Sequence, residues 1–169
     1  MATRTGYWGT QSTGDVLTST NLTKTPNGLV AYVTSTSTTS SIGTTITDIT
    51  GLSLTFTFAS SRMYELRTRV RFNNAGTNLW VSTVVRTSGG TLWGATARQE
   101  SLSGADQIVQ GSFFYAPSSG STTLKVSAGT NTSTIDAVPG TAFPDSTGTI
   151  STGYSGVHSF SIWDWGPSF

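Results

Sequence analysis

The stretch LSLTFTFASSRMYELRTRVRF, residues Leu52–Phe72, decides the fold. In its first half large apolar residues alternate with Ser and Thr, and in its second half they alternate mainly with charged residues. Successive side chains of a strand point to opposite faces, so each half predicts a strand with one apolar face. The short polar link 59–62 fits either a hairpin or two neighbouring strands that cross between two sheets.

The second strand of this stretch carries a row of arginines on its polar face. Arg67, Arg69 and Arg71 share that face with Glu65, while the aromatic residues of the stretch are predicted to point the other way. A nucleic-acid site would need stacking aromatics beside the arginines, so we expect no nucleic-acid partner. Two interpretations stay open: a solvated surface in which Glu65 and cross-strand neighbours pair with the arginines, and a contact with an acidic partner protein.

Composition supports an all-β protein with polar surfaces. The chain has 169 residues, of which only 10% are charged, and Ser and Thr make up about a third. Thr suits the solvated face of a sheet, and Ser and Gly favour turns. The net charge of +1 gives no global field that would attract nucleic acid or an anionic membrane.

Further strands follow from alternation between turn signals along the rest of the chain. They are predicted at 29–33, 79–87, 92–101, 108–116, 122–128 and 157–165, with a weak one near 132–136. No segment has the apolar spacing of an amphipathic helix. Strands at this spacing predict an all-β fold, an antiparallel β-sandwich of the jelly-roll (TNF-like) type, over residues 28–169.

Residues 1–27 lack sustained periodicity and predict an extended N-terminal arm. This arm carries Arg4 and the aromatic pair Tyr7 and Trp8 between glycines. The pair either folds back onto its own domain or anchors the arm in a neighbouring subunit, because interfaces favour Trp, Tyr and Arg.

The C-terminal stretch VHSFSIWDWGPSF is the second informative segment. It ends an apolar strand on Trp163, Trp165 and Phe169. We expect these residues to pack in the core or against another subunit; an exposed carbohydrate-binding platform of Trp163 and Trp165 is the alternative.

The residues offer little for catalysis. The only histidine, His158, lies on a predicted strand and is expected to be a surface or packing residue. The acidic residues are scattered singly, and no nucleotide-binding or nucleophile motif occurs. We therefore expect no enzymatic activity, cofactor or metal.

The compartment is indicated by what the sequence lacks. There is no cysteine, no signal peptide is visible behind Met1, and no apolar run approaches the ~20 residues of a membrane span. We expect assembly in a reducing cytoplasm without a membrane partner.

Two motifs resemble a family of small virion proteins of tailed bacteriophages. They are the GLSLTF strand followed by Arg62-Met63-Tyr64, and the element Asp164-Trp165-Gly166-Pro167 that ends the last strand. The pattern covers residues 25–167 and is strong at these two places. Trp163 and Trp165 depart from the acidic and aliphatic residues that are common there.

This resemblance implies a jelly-roll or TNF-like domain that trimerises and decorates capsids. We expect a capsid decoration (cement) protein on the outer surface of the head, which binds the major capsid protein and itself as a homotrimer. The alternative is a tail- or fibre-associated module that binds a receptor glycan.

Overall fold

The computed structural model describes residues 4–6, 9–11, 28–73, 79–100, 107–139 and 157–168. Every regular element in this part of the chain is a β-strand, which confirms the all-β prediction. In chain order the strands are β1 (Arg4–Gly6), β2 (Gly9–Gln11), β3 (Gly28–Ser35), β4 (Thr39–Ile42), β5 (Thr47–Phe58), β6 (Arg62–Asn73), β7 (Trp80–Thr87), β8 (Leu92–Glu100), β9 (Gln107–Tyr115), β10 (Gly120–Thr130), β11 (Ile135–Ala137) and β12 (His158–Pro167).

Eight of these strands build two packed sheets. One sheet has the order β5-β10-β7-β8, and the other has the order β3-β12-β6-β9. Beyond one end of β12, the short strand β11 pairs with β6, and β4 pairs with β11. All the pairings are antiparallel. If the eight strands are numbered one to eight in chain order, from β3 to β12, the first sheet has the order 2-7-4-5 and the second has the order 1-8-3-6. This is the strand order of a jelly roll. The predicted antiparallel sandwich is confirmed.

The strands of the deciding stretch, β5 and β6, lie in different sheets. The hairpin alternative is therefore wrong, and the chain crosses between the sheets at 59–61. Ser61 adopts a left-handed φ of 58°, and the amide of Ala59 donates to the hydroxyl of Tyr64 at 3.1 Å. These features turn the chain from one sheet to the other within three residues.

The core lies between the two sheets and contains the apolar faces predicted from the alternation. Phe58 packs edge-to-face against Phe56 and Tyr64, with ring centroids 4.8 and 5.0 Å apart. The largest fully buried apolar side chains are Phe58, Phe72, Phe160, Ile42, Leu52, Leu66, Leu79, Leu124 and Ile162. Burying one large apolar side chain contributes about 1.5–3 kcal/mol, so this core provides most of the stabilisation of the folded state.

Thr68 is a polar residue on the core face of β6, and a chain of hydroxyls accommodates it. Its Oγ1 donates to Oγ1 of Thr96 at 2.7 Å, and Thr96 in turn donates to the carbonyl oxygen of Thr83 at 3.0 Å. A buried hydroxyl without a partner is destabilising, and this network gives the hydroxyl of Thr68 a partner. The bond from Thr68 on β6 to Thr96 on β8 also connects the two sheets.

Near the N-terminus, β1 and β2 pair with each other in a small two-stranded sheet. The sequence predicted only an extended arm over residues 1–27, so this strand pair is an addition to the prediction. The remainder of the predicted arm, including residues 12–27, lies outside the described residues.

Candidate functional site

The outer face of the β3-β12-β6-β9 sheet brings together most of the candidate residues from the sequence. We call this surface the arginine face. Arg67, Arg69 and Arg71 all lie on it, half-buried, because the alternating residues of β6 point into the core as predicted. Antiparallel pairing places Trp163 of β12 beside Glu65 on one side, and Phe114 of β9 beside it on the other. One row across the sheet is therefore aromatic, acidic and aromatic.

Glu65 is the centre of this row. Its Oε2 accepts a hydrogen bond from Nη2 of Arg67 at 2.7 Å and another from Nε1 of Trp165 at 2.9 Å. Only 9% of the Glu65 side chain is exposed, although it lies on the outer face of the sheet. Neighbouring side chains thus cover the carboxylate, and an ion pair and an indole donor satisfy it.

Burial raises the pKa of Glu65, but hydrogen bonds from Arg67, Ser112 and Trp165 outweigh that effect. The pKa of Glu65 therefore lies below its usual value, and the group stays ionised at neutral pH. An ionised Glu65 keeps the guanidinium of Arg67 in one place, 4.4 Å from the ring centre of Trp163 in a cation–π arrangement. The charged part of the site is consequently preorganised.

Apolar side chains surround this centre and are exposed. Trp165 lies 6.1 Å from Phe114, centroid to centroid, in a tilted edge contact. The exposed fractions are 41% for Trp165 and 58% for Phe114, and on β3 they are 48% for Leu29 and 56% for Tyr32. Register pairs Leu29 with Trp163, which places it on the same face. Such a group of large exposed side chains marks a surface that is suited to contact with another molecule.

The position of these aromatics corrects the sequence analysis. The aromatics of β6 itself do point into the core, but Trp163, Trp165 and Phe114 reach the arginine face from neighbouring strands. The premise that the arginines lack aromatic neighbours was therefore wrong. Trp163 and Trp165 also lie on the outer face, with Trp163 half-buried and Trp165 exposed, so neither is a core residue.

The pairing of β12 with β6 shifts register at Trp165. Along β12, Asp164 pairs with Tyr64 but Gly166 pairs with Met63, so one residue is inserted between them. Gly166 has a φ of 99°, a left-handed conformation that favours glycine. Alternation along β12 places Trp165 on the same face as Trp163, and the β-bulge inserts it between the residues that pair with Tyr64 and Met63.

A groove of about 450 Å³ lies beside the aromatic cluster, over β12, β6 and β9. Its walls include Arg67, Arg69 and Trp163, and its polar lining comes from Ser159 and Gln110, which flank Arg69 in register. Within the described part of the chain, no side chain forms a hydrogen bond or an ion pair with the guanidinium of Arg69. The groove therefore contains a cation that is available to a ligand.

Arg71 has a different environment, because it lies beyond the groove. Its Nη1 donates to the carbonyl oxygen of Val138 at 3.2 Å, and its amide donates to Nδ1 of His158 at 3.3 Å. His158 is completely buried, which confirms that it is a packing residue. Burial lowers the pKa of His158, and the nearby guanidinium groups of Arg71 and Arg69 lower it further. The imidazole is therefore neutral at physiological pH.

Other candidate residues are not tested by the structure. The backbone of Arg4 lies in β1, but its side chain is outside the described residues, as are Tyr7, Trp8 and Phe169. The structure therefore gives no placement for the predicted anchors at the two ends of the chain.

Sequence reasoning missed three apolar residues of the arginine face: Leu29, Tyr32 and Phe114. A signal for Phe114 was present in the predicted strand 108–116, since Val109, Phe113 and Tyr115 alternate there and Phe114 has the opposite parity. No comparable signal existed for Leu29 or Tyr32, because only the pairing of β3 with β12 places Leu29 beside Trp163 and Tyr32 beside Ser161.

The outer face of the opposite sheet carries a smaller charged cluster. Asp48 accepts hydrogen bonds from Arg86 at 2.8 Å, Lys125 at 2.9 Å and Ser127 at 2.7 Å. Burial raises the pKa of Asp48, but these donors together lower it to about 2. Every charge in this cluster has a partner, which indicates a structural role.

The described residues contain no group of three or more His, Cys, Asp and Glu side chains that could hold a metal ion. In the same part of the chain, no helix is long and apolar enough to cross a membrane.

Comparisons with known proteins leave the function of this chain open. No family model and no curated protein matches the chain. Among solved structures, it is similar to a chain from the structure of the Gx strain of infectious bursal disease virus, with 11% sequence identity and a TM-score of 0.39. That match covers 82% of this chain but only 40% of the viral one. A likeness this weak carries no argument about function, so the proposals below are based on the residues.

Proposed function

We propose that the protein is a structural protein of a virion, and specifically a capsid decoration (cement) protein of a tailed bacteriophage. The observation that carries the proposal is the arginine face, where exposed aromatic residues surround a paired glutamate and arginine. It adds to the resemblance of the sequence to phage virion proteins. The protein acts by binding, without catalysis, a cofactor or a nucleic-acid or membrane partner.

The composition of the arginine face is that of a protein interface. Tyr, Trp and Arg are enriched at such interfaces and supply most of their binding hot spots, and the rings of Tyr and Trp bury a large area with little loss of conformational entropy. Tyr32, Trp165 and Phe114 supply the exposed rings, and Arg67 supplies a guanidinium that Glu65 already orients. Preorganisation of this kind reduces the cost of binding.

On the capsid, the arginine face contacts the major capsid protein. The N-terminal arm, with Arg4, Tyr7 and Trp8, extends the contact to neighbouring subunits. Three copies in a homotrimer engage together, so each contact can be weak while the whole assembly binds tightly. The protein is thus located on the outer surface of the head and joins it in the host cytoplasm.

The test uses heads of the encoding phage that lack this protein, to which purified variants are added back. Phe114→Ser should reduce occupancy at least tenfold, and removal of residues 1–27 should have a comparable effect. Leu92→Ser is the matched control, because Leu92 is 57% exposed on the opposite sheet and lies outside the proposed interface. If all three variants occupied heads like the wild type, the proposed binding surfaces would be wrong.

A second candidate function is a tail- or fibre-associated module that binds a receptor glycan. The observation that favours it is the polar groove, where Trp163 lines a space flanked by Ser159 and Ser161. Copy number separates the two functions: hundreds of copies per particle indicate decoration of the head, and a handful indicate the tail. Binding of the isolated protein to a glycan array, together with low copy number, would favour the glycan module.

A further inference from the structure

We infer that the groove of the arginine face binds an acidic side chain of the capsid protein, with Arg69 as the residue that pairs with the carboxylate. This inference rests on the proposed function and names the chemistry of the partner at that same site. It assigns different tasks to the two parts of the face: the exposed aromatics supply contact area, and the groove supplies specificity.

The three arginines of β6 differ in their partners. Arg67 forms an ion pair with Glu65, with 2.7 Å between nitrogen and oxygen, and the guanidinium of Arg71 donates to the carbonyl oxygen of Val138. Arg69 lies between them on the same face, half-buried, with no hydrogen bond or ion pair to any side chain that the structure describes. A guanidinium that is partly desolvated and has no anionic partner favours an incoming carboxylate.

The net charge of the groove is positive. Arg67 and Arg69 supply two positive charges, and the ionised Glu65 supplies one negative charge that the hydrogen bonds of Arg67 and Trp165 already engage. Ser159 and Gln110 flank Arg69 in register and offer further hydrogen bonds to a bound carboxylate. The groove therefore attracts an anion and offers it several hydrogen-bond donors.

A second copy of this chain does not fit the groove. Its arginine face carries the same positive excess, and two such faces would repel each other. The fully described acidic side chains are also engaged: Asp48 by three donors, Asp136 by the amide of Ser41 and Asp164 by Arg62. None of these described carboxylates is therefore free to enter the groove of a second copy, which favours an acidic group from a different molecule.

The surroundings of the groove favour a protein over a saccharide as that molecule. Phe114 and Trp165 extend the apolar surface at one end of the groove, and Tyr32 extends it along β3. An acidic segment of a protein covers these rings with the apolar side chains that neighbour its carboxylates. The partner is thus an acidic peptide segment that carries apolar side chains.

The test compares Arg69→Gln with Lys125→Gln, which removes one positive charge from the opposite sheet. Hexaglutamate is titrated into each protein at low salt, and occupancy on heads that lack the protein is measured in parallel. We expect Arg69→Gln to weaken hexaglutamate binding and head binding about 10- to 100-fold, as loss of a charge-assisted bidentate contact does. Lys125→Gln should bind both like the wild type. Arg69→Lys keeps the charge but loses the planar guanidinium, and it should show an intermediate loss.

The results separate this inference from the proposed function. If heads bind the wild type and Arg69→Gln equally, the inference is wrong and the decoration function stands. If heads do not bind the wild type, the decoration function is wrong, and the hexaglutamate titration alone decides the chemistry of the groove. Binding of hexagalacturonate without binding of hexaglutamate would overturn the inference in favour of an acidic saccharide.

Discussion

Arg62 and Asp164 form a buried ion pair that joins the start of β6 to the end of β12. Nε of Arg62 donates to both carboxylate oxygens of Asp164, at 3.0 and 2.8 Å, and the amide of Gly166 donates to the same carboxylate at 2.9 Å. The side chains are only 10% and 2% exposed. The two motifs on which the family resemblance depends therefore meet in space, although 102 residues separate them along the chain.

Replacement of Asp164 by Asn should be strongly destabilising. The variant keeps the shape of the side chain but leaves the guanidinium of Arg62 buried without its counter-charge. Loss of one partner of a buried ion pair costs about 3–5 kcal/mol, and we expect a decrease of that size in the free energy of unfolding. Urea denaturation measures it.

Asp136→Asn is the control for that measurement. Asp136 also accepts a backbone amide, from Ser41 at 2.7 Å, but at an exposed position. The Asp136→Asn substitution should lower the free energy of unfolding by about 1 kcal/mol or less. Equal effects of the two substitutions would show that the Arg62–Asp164 pair contributes no more than a surface hydrogen bond.

The buried His158 should make the protein less stable at mildly acidic pH. Its pKa is lowered by burial below the value of 6.5 for the free side chain, so the unfolded chain binds the proton more readily. Stability is therefore full above about pH 6.5 and decreases as the pH falls below that value, with a slope of at most ~1.4 kcal/mol per pH unit. Unfolding curves between pH 8 and 5 measure this slope. His158→Gln should flatten it whatever its absolute stability, and an unchanged slope would contradict the assignment.

Asp48 should affect stability in a separate and more acidic range. Its pKa of about 2 lies below the ordinary value of 3.8, so the folded state favours the ionised form. This contribution is present above about pH 4 and is lost as the pH falls toward 2. The carboxyl pKa can be followed by NMR, and Arg86→Gln should move it back toward 3.8 because one donor and one positive charge are removed. A pKa that stayed near 2 in this variant would show that Arg86 has no part in the effect.

Gly111 should tolerate no side chain, because the two sheets approach closely at this position beneath the groove. A Cβ atom on Gly111 would overlap the carbonyl oxygen of Thr96, a backbone atom that cannot move alone. We expect Gly111→Ala to cost about 3 kcal/mol or more, at the upper end for overpacking. Gly43→Ala is the control, since its nearest neighbour would be a methyl group of Thr134 at 3.6 Å, and thermal unfolding should distinguish the two. Similar melting temperatures for both variants would contradict this close approach.

Local alternation made most strands and their faces predictable. In Leu52–Phe72 it identified the core face, with Phe58 and Leu66, and the outer face, with Arg67 and Arg69, because the two-residue period of a strand is a local property. The same period carried a signal for the outward position of Phe114, between Phe113 and Tyr115, but the sequence analysis did not use it. The composition and the turn spacing were sufficient for the antiparallel sandwich.

The sequence by itself thus determined the strands, their apolar faces and the class of fold. Only the tertiary structure decided that β5 and β6 lie in different sheets, that Glu65 meets Trp163 and Trp165, and that Arg69 has a groove beside it. Glu65 and Trp165 are 100 residues apart, and they meet because of strand pairing and a bulge at Gly166. Register and bulges depend on which distant strands pair, and no local pattern encodes that choice.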